Sequence, residues 1–344
     1  MHTGHSLSSS RHSATACGGF HDTPALEYRS IDNLVRYVKL AVTAWDLSSV
    51  EALQRIPDQA AKAEAMGFEG FWLPENHFAG PAALSAPLIL LAAAAARTST
   101  IDLGTTSLVL PIRHPVSVAE EVAMLDQIAQ GRLILGLGRG FSEDLFDVFG
   151  VDPREKRALF KQSLTRMLTI WSGEAIHHKD DRGLYLSPRP YQSPHPRLWI
   201  AAFGPLALKQ AAAFGCPYLA SPMETFSELS QNFAQYRAAL KAADQAQPNV
   251  VPVMRTIFIT EDAALATAVR EQLGQESRRA AAQDQPDQPD QPAFIVGAAT
   301  FVQDTLARYS EDLGVNYLIA RGRIKGITEA QQLASHAALI TLFR

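Results

Sequence analysis

Short apolar runs alternate with longer helical patterns eight times between Val38 and the C-terminus, and this rhythm restricts the fold more than any other feature of the chain. The runs fall at Val38–Ala44, Phe68–Leu73, Ile101–Ser107, Leu133–Leu137, Leu198–Ala202, Tyr218–Ala220, Val251–Thr260 and Val315–Ala320. Helical spacing fills the gaps, as in Val50–Met66, Val116–Ala129 and Phe226–Ala243. Neighbouring parallel strands need a crossover of helix length, so the pattern predicts a parallel α/β sheet. Eight units point to a (β/α)8 TIM barrel rather than a doubly wound open sheet. The run Gly136-Leu137-Gly138-Arg139-Gly140 lacks the further glycine of a dinucleotide fingerprint, which also argues against the open sheet.

Two segments break the rhythm. His177–Gln192 is expected to form a small hairpin insertion, and Gln283–Pro292, which repeats Gln-Pro-Asp, a mobile loop. Residues 1–36 carry Ser, His and Gly without the apolar core of a signal peptide, and are read as a disordered N-terminal extension preceding a barrel over 37–344. Gly67 and Gly131 stand where C-cap glycines belong.

The chain is 47% hydrophobic with a formal net charge of −4, and its Lys and Arg are scattered. No basic stripe marks a nucleic-acid surface. The longest apolar stretch, Leu84–Ala96, contains Ser85 and Pro87 and is too short to span a bilayer. Two cysteines make neither a disulfide framework nor a zinc site. A cytoplasmic protein with a small-molecule substrate is the expectation.

In barrels the site is built at the C-terminal ends of the strands. There lie Pro74-Glu75-Asn76-His77-Phe78, Thr106-Ser107, Gly138-Arg139-Gly140, Phe203-Gly204-Pro205 and Ser221. Arg139, set between glycines, can clamp a phosphate, or it can pair with Glu143 or Asp144 to hold its loop. Phe203-Gly204-Pro205 opens a helix whose free N–H groups favour an anion. His77 is either a base or hydrogen-bond donor or a structural hydrogen-bonder. His177, His178, Asp180 and Asp181 have metal-ligand chemistry but belong to the insertion, so a solvated loop is expected and no metal. Phe78, Phe141, Tyr185, Phe203 and Phe226 are candidates for an apolar pocket.

The segment from Gly67 through Trp72-Leu73-Pro74-Glu75-Asn76-His77-Phe78 resembles the second-strand signature of the bacterial luciferase-like flavin-dependent monooxygenases. So do Leu103-Gly104-Thr105, Leu110-Pro111, His114-Pro115, Leu125-Asp126, Gly131-Arg132, Gly138-Arg139-Gly140 and Val148-Phe149-Gly150. The likeness covers roughly residues 38 to 325. It implies a TIM barrel that takes reduced FMN from a separate flavin reductase and uses O2 to oxidise a small organic substrate. Arg139 then binds the flavin phosphate with Phe203 and Gly204, the Thr106–Ser107 peptide is cis and supports the ring, and Ser221 lies near it. Asn76 and His77 face the reacting edge. A homodimer is implied; the Ala-rich helix Leu84–Ala96, which has no clearly polar face, is a candidate contact with a second subunit. One departure stands out. The luciferase α chain has two adjacent histidines after strand two, of which the first is assigned to chemistry; here that place holds Asn76, whose amide is not a base near neutral pH. This speaks against light emission. The rival expectations are an F420-dependent hydride-transfer enzyme and a flavin-binding protein without catalysis.

Overall fold

The computed structural model describes residues 38–80, 83–180, 182–281 and 293–344. In chain order the strands are β1 (Lys39–Thr43), β2 (Gly70–Leu73), β3 (Asp102–Thr105), β4 (Leu108–Val109), β5 (Leu133–Gly138), β6 (His177–Lys179), β7 (Arg182–Leu184), β8 (Arg197–Ala201), β9 (Tyr218–Leu219), β10 (Pro252–Ile259), β11 (Phe294–Gly297) and β12 (Tyr317–Ala320). The helices are α1 (Val50–Gln54), α2 (Ile56–Met66), α3 (Pro87–Arg97), α4 (Pro115–Ala129), α5 (Glu143–Phe149), α6 (Lys156–Trp171), α7 (Pro205–Ala213), α8 (Phe226–Ala242), α9 (Ala263–Ala281), α10 (Ala299–Leu313) and α11 (Glu329–Leu342).

The main sheet runs β11-β10-β12-β1-β2-β3-β5-β8-β9, with β4 on β5, and its pairings are parallel. It curls, and a single parallel bridge, Ala220 to Val253, sets the end of β9 against β10. Successive helices pack on one another, α2 on α3, α3 on α4 and α7 on α8. Strands covered on both faces read as continuous apolar runs, which is why all eight expected strands appear in the sheet.

The core has two layers. One lies between sheet and helices. The other lies inside the curl, where Ala41, Trp72, Ile134, Trp199, Met254 and Ile319 meet Tyr317. Trp72 stacks on Trp199 at 4.8 Å and donates its indole N–H to the Tyr317 hydroxyl at 3.2 Å. Glycine makes that layer fit, since a Cβ on Gly104 would come within 2.3 Å of the Trp72 ring. Below it, Arg197 Nη2 meets Asp102 Oδ1 at 2.7 Å, joining the N-terminal ends of β8 and β3. Aromatic rings and this ion pair fill the interior from the N-terminal side.

Differences from expectation have local causes. Val50–Met66 is two helices, because Pro57 lacks an N–H and starts α2 afresh after Arg55. Gly67 closes α2 in the left-handed region, as expected. After α4, however, Gln130 takes the left-handed cap at φ 51° and Gly131 follows it. Helix α5 is additional, capped where Ser142 Oγ accepts the Leu145 N–H, and β4 and β11 are also additional. The insertion forms the antiparallel hairpin β6–β7, lying in the connection from α6 to β8 and thus on the N-terminal side of the sheet. It is fastened there by Asp126, which accepts the Gln192 backbone and side-chain N–H groups at 2.7 Å each. Burial pushes the Asp126 carboxyl up, opposed by those bonds. The extension 1–36 and the loop Gln283–Pro292 lie outside the described residues.

Candidate active site

Strand β3 ends at a cis peptide, Thr106–Ser107, after which the chain continues as β4. The Thr106 N–H donates to the Leu73 carbonyl at 2.8 Å, tying this step to the end of β2. Gly138 lies opposite, and a Cβ there would sit 2.0 Å from Ser107 Oγ. The close approach of β4 to β5 therefore depends on glycine.

Arg139 follows at the end of β5. It makes no ion pair among the described residues, with Glu143 and Asp144 included, so the loop-pairing alternative is not realised. Burial, and then the Arg157 guanidinium, hold its pKa below the ordinary arginine value. Lys156 is likewise lowered by burial, Arg139 and Arg157, with Glu143 opposing. Three cations thus share one corner, two of them from the start of α6. Strand β5 pairs with β8, Leu137 opposite Ile200, so Arg139 and the start of α7 leave neighbouring strand ends, and Gln210, further along α7, donates to the Arg157 carbonyl at 3.0 Å. Helix α7 begins as expected, with Gly204 at the N-cap (φ 79°), Pro205 in the first turn and no side-chain cap. Nothing lies within 4 Å of a Cβ built on Gly204. Like charges gathered beside an uncapped helix N-terminus repel one another, and a bound anion relieves them. A terminal phosphate fits this corner.

The end of β2 is organised by a residue outside the expected set. The Glu75 side chain is fully buried. Its Oε1 accepts from Arg113 Nη2 and His77 Nε2, both at 2.7 Å, and its Oε2 accepts the Val109 N–H at 2.8 Å. The His77 ring also packs edge-on against Phe149, 5.4 Å away. His77 is therefore hydrogen-bonded into the buried Glu75–Arg113 pair that ties β2 to β4, and its Nε2 is engaged. Asn76 pairs through its backbone with Leu84, and its Oδ1 accepts the Leu84 N–H at 2.6 Å.

Ser221 is clamped at both sides through its backbone. Its N–H donates to Glu224 Oε2 at 2.5 Å, and its carbonyl accepts from Arg255 Nη1 at 3.0 Å. Glu224 is 1% and Arg255 0% exposed. Burial raises the Glu224 carboxyl, while Tyr218, Asn232, the Ser221 N–H and Arg255 oppose the rise. The Ser221 hydroxyl accepts the Met223 N–H at 3.2 Å.

Of the aromatic candidates, Phe78, Phe141 and Phe203 stand exposed at strand ends β2, β5 and β8. Phe226 instead packs edge-on against Tyr309, 5.0 Å away, between α8 and α10. Tyr185 follows the β6–β7 hairpin on the N-terminal side. His177 and His178 are exposed on that hairpin, and no cluster able to hold a metal occurs among the described residues. Nor is any helix among them long and apolar enough to cross a membrane.

The fold and its corner of cations define a parallel α/β protein with a cationic pole at the carboxyl ends of its strands. Residues 36–338 match the luciferase-like monooxygenase family, and the chain belongs to it. It is 32% identical over 174 residues to limonene 1,2-monooxygenase of Rhodococcus erythropolis, covering 49% of this chain and 42% of that one. It is 25% identical over 205 residues to the oxygenase component of the flavin-dependent trigonelline monooxygenase of Acinetobacter baylyi, covering 58% and 57%. The chain spans about half the length of the curated relatives it matches. Among solved structures, the oxygenating constituent of 3,6-diketocamphane monooxygenase of Pseudomonas putida, in complex with FMN, superposes with a TM-score of 0.73 at 17% identity, covering 88% of this chain and 96% of that one. An F420-dependent secondary alcohol dehydrogenase superposes at 0.69 and 16%, covering 89% and 99%. These likenesses bear on the fold.

Proposed function

We propose that this chain is the oxygenase of a two-component, FMN-dependent monooxygenase, in which a separate reductase supplies reduced FMN and O2 oxidises a small organic substrate. The reading takes the curled sheet as a complete (β/α)8 barrel joined at the Ala220–Val253 bridge. The observation that carries it is Arg139, without an ion pair among the described residues, beside Arg157 and Lys156 at a strand end neighbouring the open start of α7. Arg139 and Arg157 hold the flavin phosphate, and the N–H groups at Gly204 and beyond complete its ligands. The Thr106–Ser107 step supports the ring, and the Glu224–Arg255 clamp fixes Ser221 beside it. Bound reduced FMN supplies the electrons for oxygen activation. Asn76 and His77 serve this site by shape and hydrogen bonding, since His77 Nε2 is committed to Glu75. Exposed Phe78 and Phe203 exclude water when a ligand lies over them. A homodimer belongs to the same reading, with a second copy covering exposed Ile89 on α3 and Met124 and Ile128 on α4.

The test is to load the protein anaerobically with reduced FMN, mix it with oxygenated buffer and follow reoxidation. Reoxidation much slower than that of free reduced FMN is expected; reoxidation at the free rate would count against the oxygenase. The competing cofactor is F420, since an F420-dependent dehydrogenase shares this fold. Titration with both cofactors separates the two, and preference for F420 would replace the oxygenase with a hydride-transfer enzyme.

A further inference from the structure

The wall of the mouth facing the phosphate corner also ends in an arginine. Along β12, Tyr317 and Ile319 point into the interior layer, and the two-residue period of a strand makes Arg321 the next inward side chain. Its backbone is fixed there: the Arg321 N–H donates to the Arg255 carbonyl at 2.8 Å, one step beyond the β12–β10 pairing. The next residue, Gly322, donates to Thr43 Oγ1 at 2.8 Å and sits so close to β1 that a Cβ would lie 2.1 Å from the Thr43 carbonyl. Following the sheet, β12 and β5 are four strands apart through β1, β2 and β3. Counting back through β10, the Ala220–Val253 bridge, β9 and β8 gives the same separation. Arg321 and Arg139 therefore stand on opposite sides of the mouth.

The side chain of Arg321 has little to hold it. Nη1 reaches Thr256 Oγ1, the next inward residue on β10 after Met254, at a long 3.4 Å. No carboxylate among the described residues lies within ion-pair distance. Asp46 is taken by Arg55 and Arg323, and Glu276 on α9 acts on Arg321 only from farther off. Burial is the main influence on the group. A half-buried guanidinium with no carboxylate in ion-pair range among the described residues gains from a ligand that supplies one, and its flat fork matches a carboxylate.

We infer that Arg321, with Thr256 beside it, binds the anionic group of the substrate, and that the substrate is a small organic carboxylate. This rests on the flavin reading for which side of the mouth the substrate enters: the phosphate at β5 and β8 and the ring over β3 leave the β10–β12 wall free. The site itself, however, is defined by this chain alone. The flavin phosphate and the substrate carboxylate then occupy separate cationic poles, so neither anion competes for the other's arginine.

The test is calorimetry on wild type, Arg321→Met and Arg139→Ala, each with and without FMN. The probes are acetate, butyrate, benzoate and cyclohexanecarboxylate, each against its neutral amide. Wild type is expected to prefer carboxylates over amides, and Arg321→Met to bind them at least tenfold more weakly while keeping FMN affinity. Arg139→Ala should do the reverse. The urea midpoint of Arg321→Met should not fall, because a half-buried cation with no ion pair among the described residues is removed; a purely structural arginine would lower it. Should Arg321→Met fail to fold, phenylglyoxal labelling of wild type serves instead, and benzoate should protect Arg321. The inference is overturned if no carboxylate binds better than its amide, or if benzoate leaves Arg321 labelling unchanged. It is also overturned if Arg321→Met loses affinity for reduced FMN but not for carboxylates, which would assign the charge to the flavin. Carboxylate preference without FMN binding would sink the flavin reading alone.

Discussion

Replacing Glu75 with Gln keeps the shape of the side chain and removes the charge at the centre of the cluster that ties β2 to β4. The fully buried carboxylate receives three donors: Arg113 Nη2, His77 Nε2 and the Val109 N–H. A glutamine has one acceptor oxygen. If that oxygen stays with Arg113 and His77, the amide NH2 faces the Val109 N–H, and an unmet buried donor costs about 1–3 kcal/mol. Arg113 also loses its counter-charge, with its Nε already lacking a partner. Breaking a buried pair from one side costs about 3–5 kcal/mol. The Arg113 side chain keeps 21% exposure, so water recovers part of its charge. The two costs overlap, and the net expectation is about 3–4 kcal/mol. Urea unfolding followed by tryptophan fluorescence reads this as a lower midpoint. Arg113→Met in the Glu75→Gln background should recover about half, since it removes the stranded cation but not the Val109 mismatch. A Glu75→Gln midpoint within about 0.5 kcal/mol of wild type, or no recovery in the double variant, would refute the account of this cluster.

Gly104→Ala puts a methyl 2.3 Å from a Trp72 ring already held by Trp199 and Tyr317; overpacking of this kind costs about 1–3 kcal/mol, and urea unfolding should show the loss shrink in a Trp72→Leu background. Burial holds His336 down at about 4, with a backbone bond to Arg321 opposing, while its Nδ1 accepts the Trp45 indole N–H at 2.8 Å. The unfolded imidazole protonates near 6.5, so unfolding takes up a proton as pH falls from there to about 4, and stability drops by on the order of 3 kcal/mol across that window. His336→Gln should flatten this slope in urea titrations at pH 7 and pH 4.5, and identical slopes would contradict the assignment.

The eight strands were legible because strands covered on both faces leave uninterrupted apolar runs, and the Gly-Arg-Gly turn was legible because it breaks one. What escaped was set by tertiary proximity. Lys156 and Arg157 open a helix 17 and 18 residues after Arg139, and no local pattern says that they share its corner. The Glu224–Arg255 clamp joins two segments 31 residues apart in the same way. Two omissions were readable. Glu75 and His77 are two apart along an extended segment and so share a face, which turns an apparent catalytic histidine into a hydrogen-bond partner of Glu75. Arg321 follows Tyr317 and Ile319 at the same period, at a strand end as informative as those after strands two to six.

The most direct test of the central claim is the affinity of wild type and Arg139→Ala for FMN and for riboflavin, measured by flavin fluorescence. If the corner of Arg139, Arg157 and the start of α7 holds the flavin phosphate, Arg139→Ala should weaken FMN by roughly 10- to 100-fold, as loss of a charge-assisted pair requires, and leave riboflavin nearly unchanged. Equal loss for both ligands, or no loss for FMN, would contradict it.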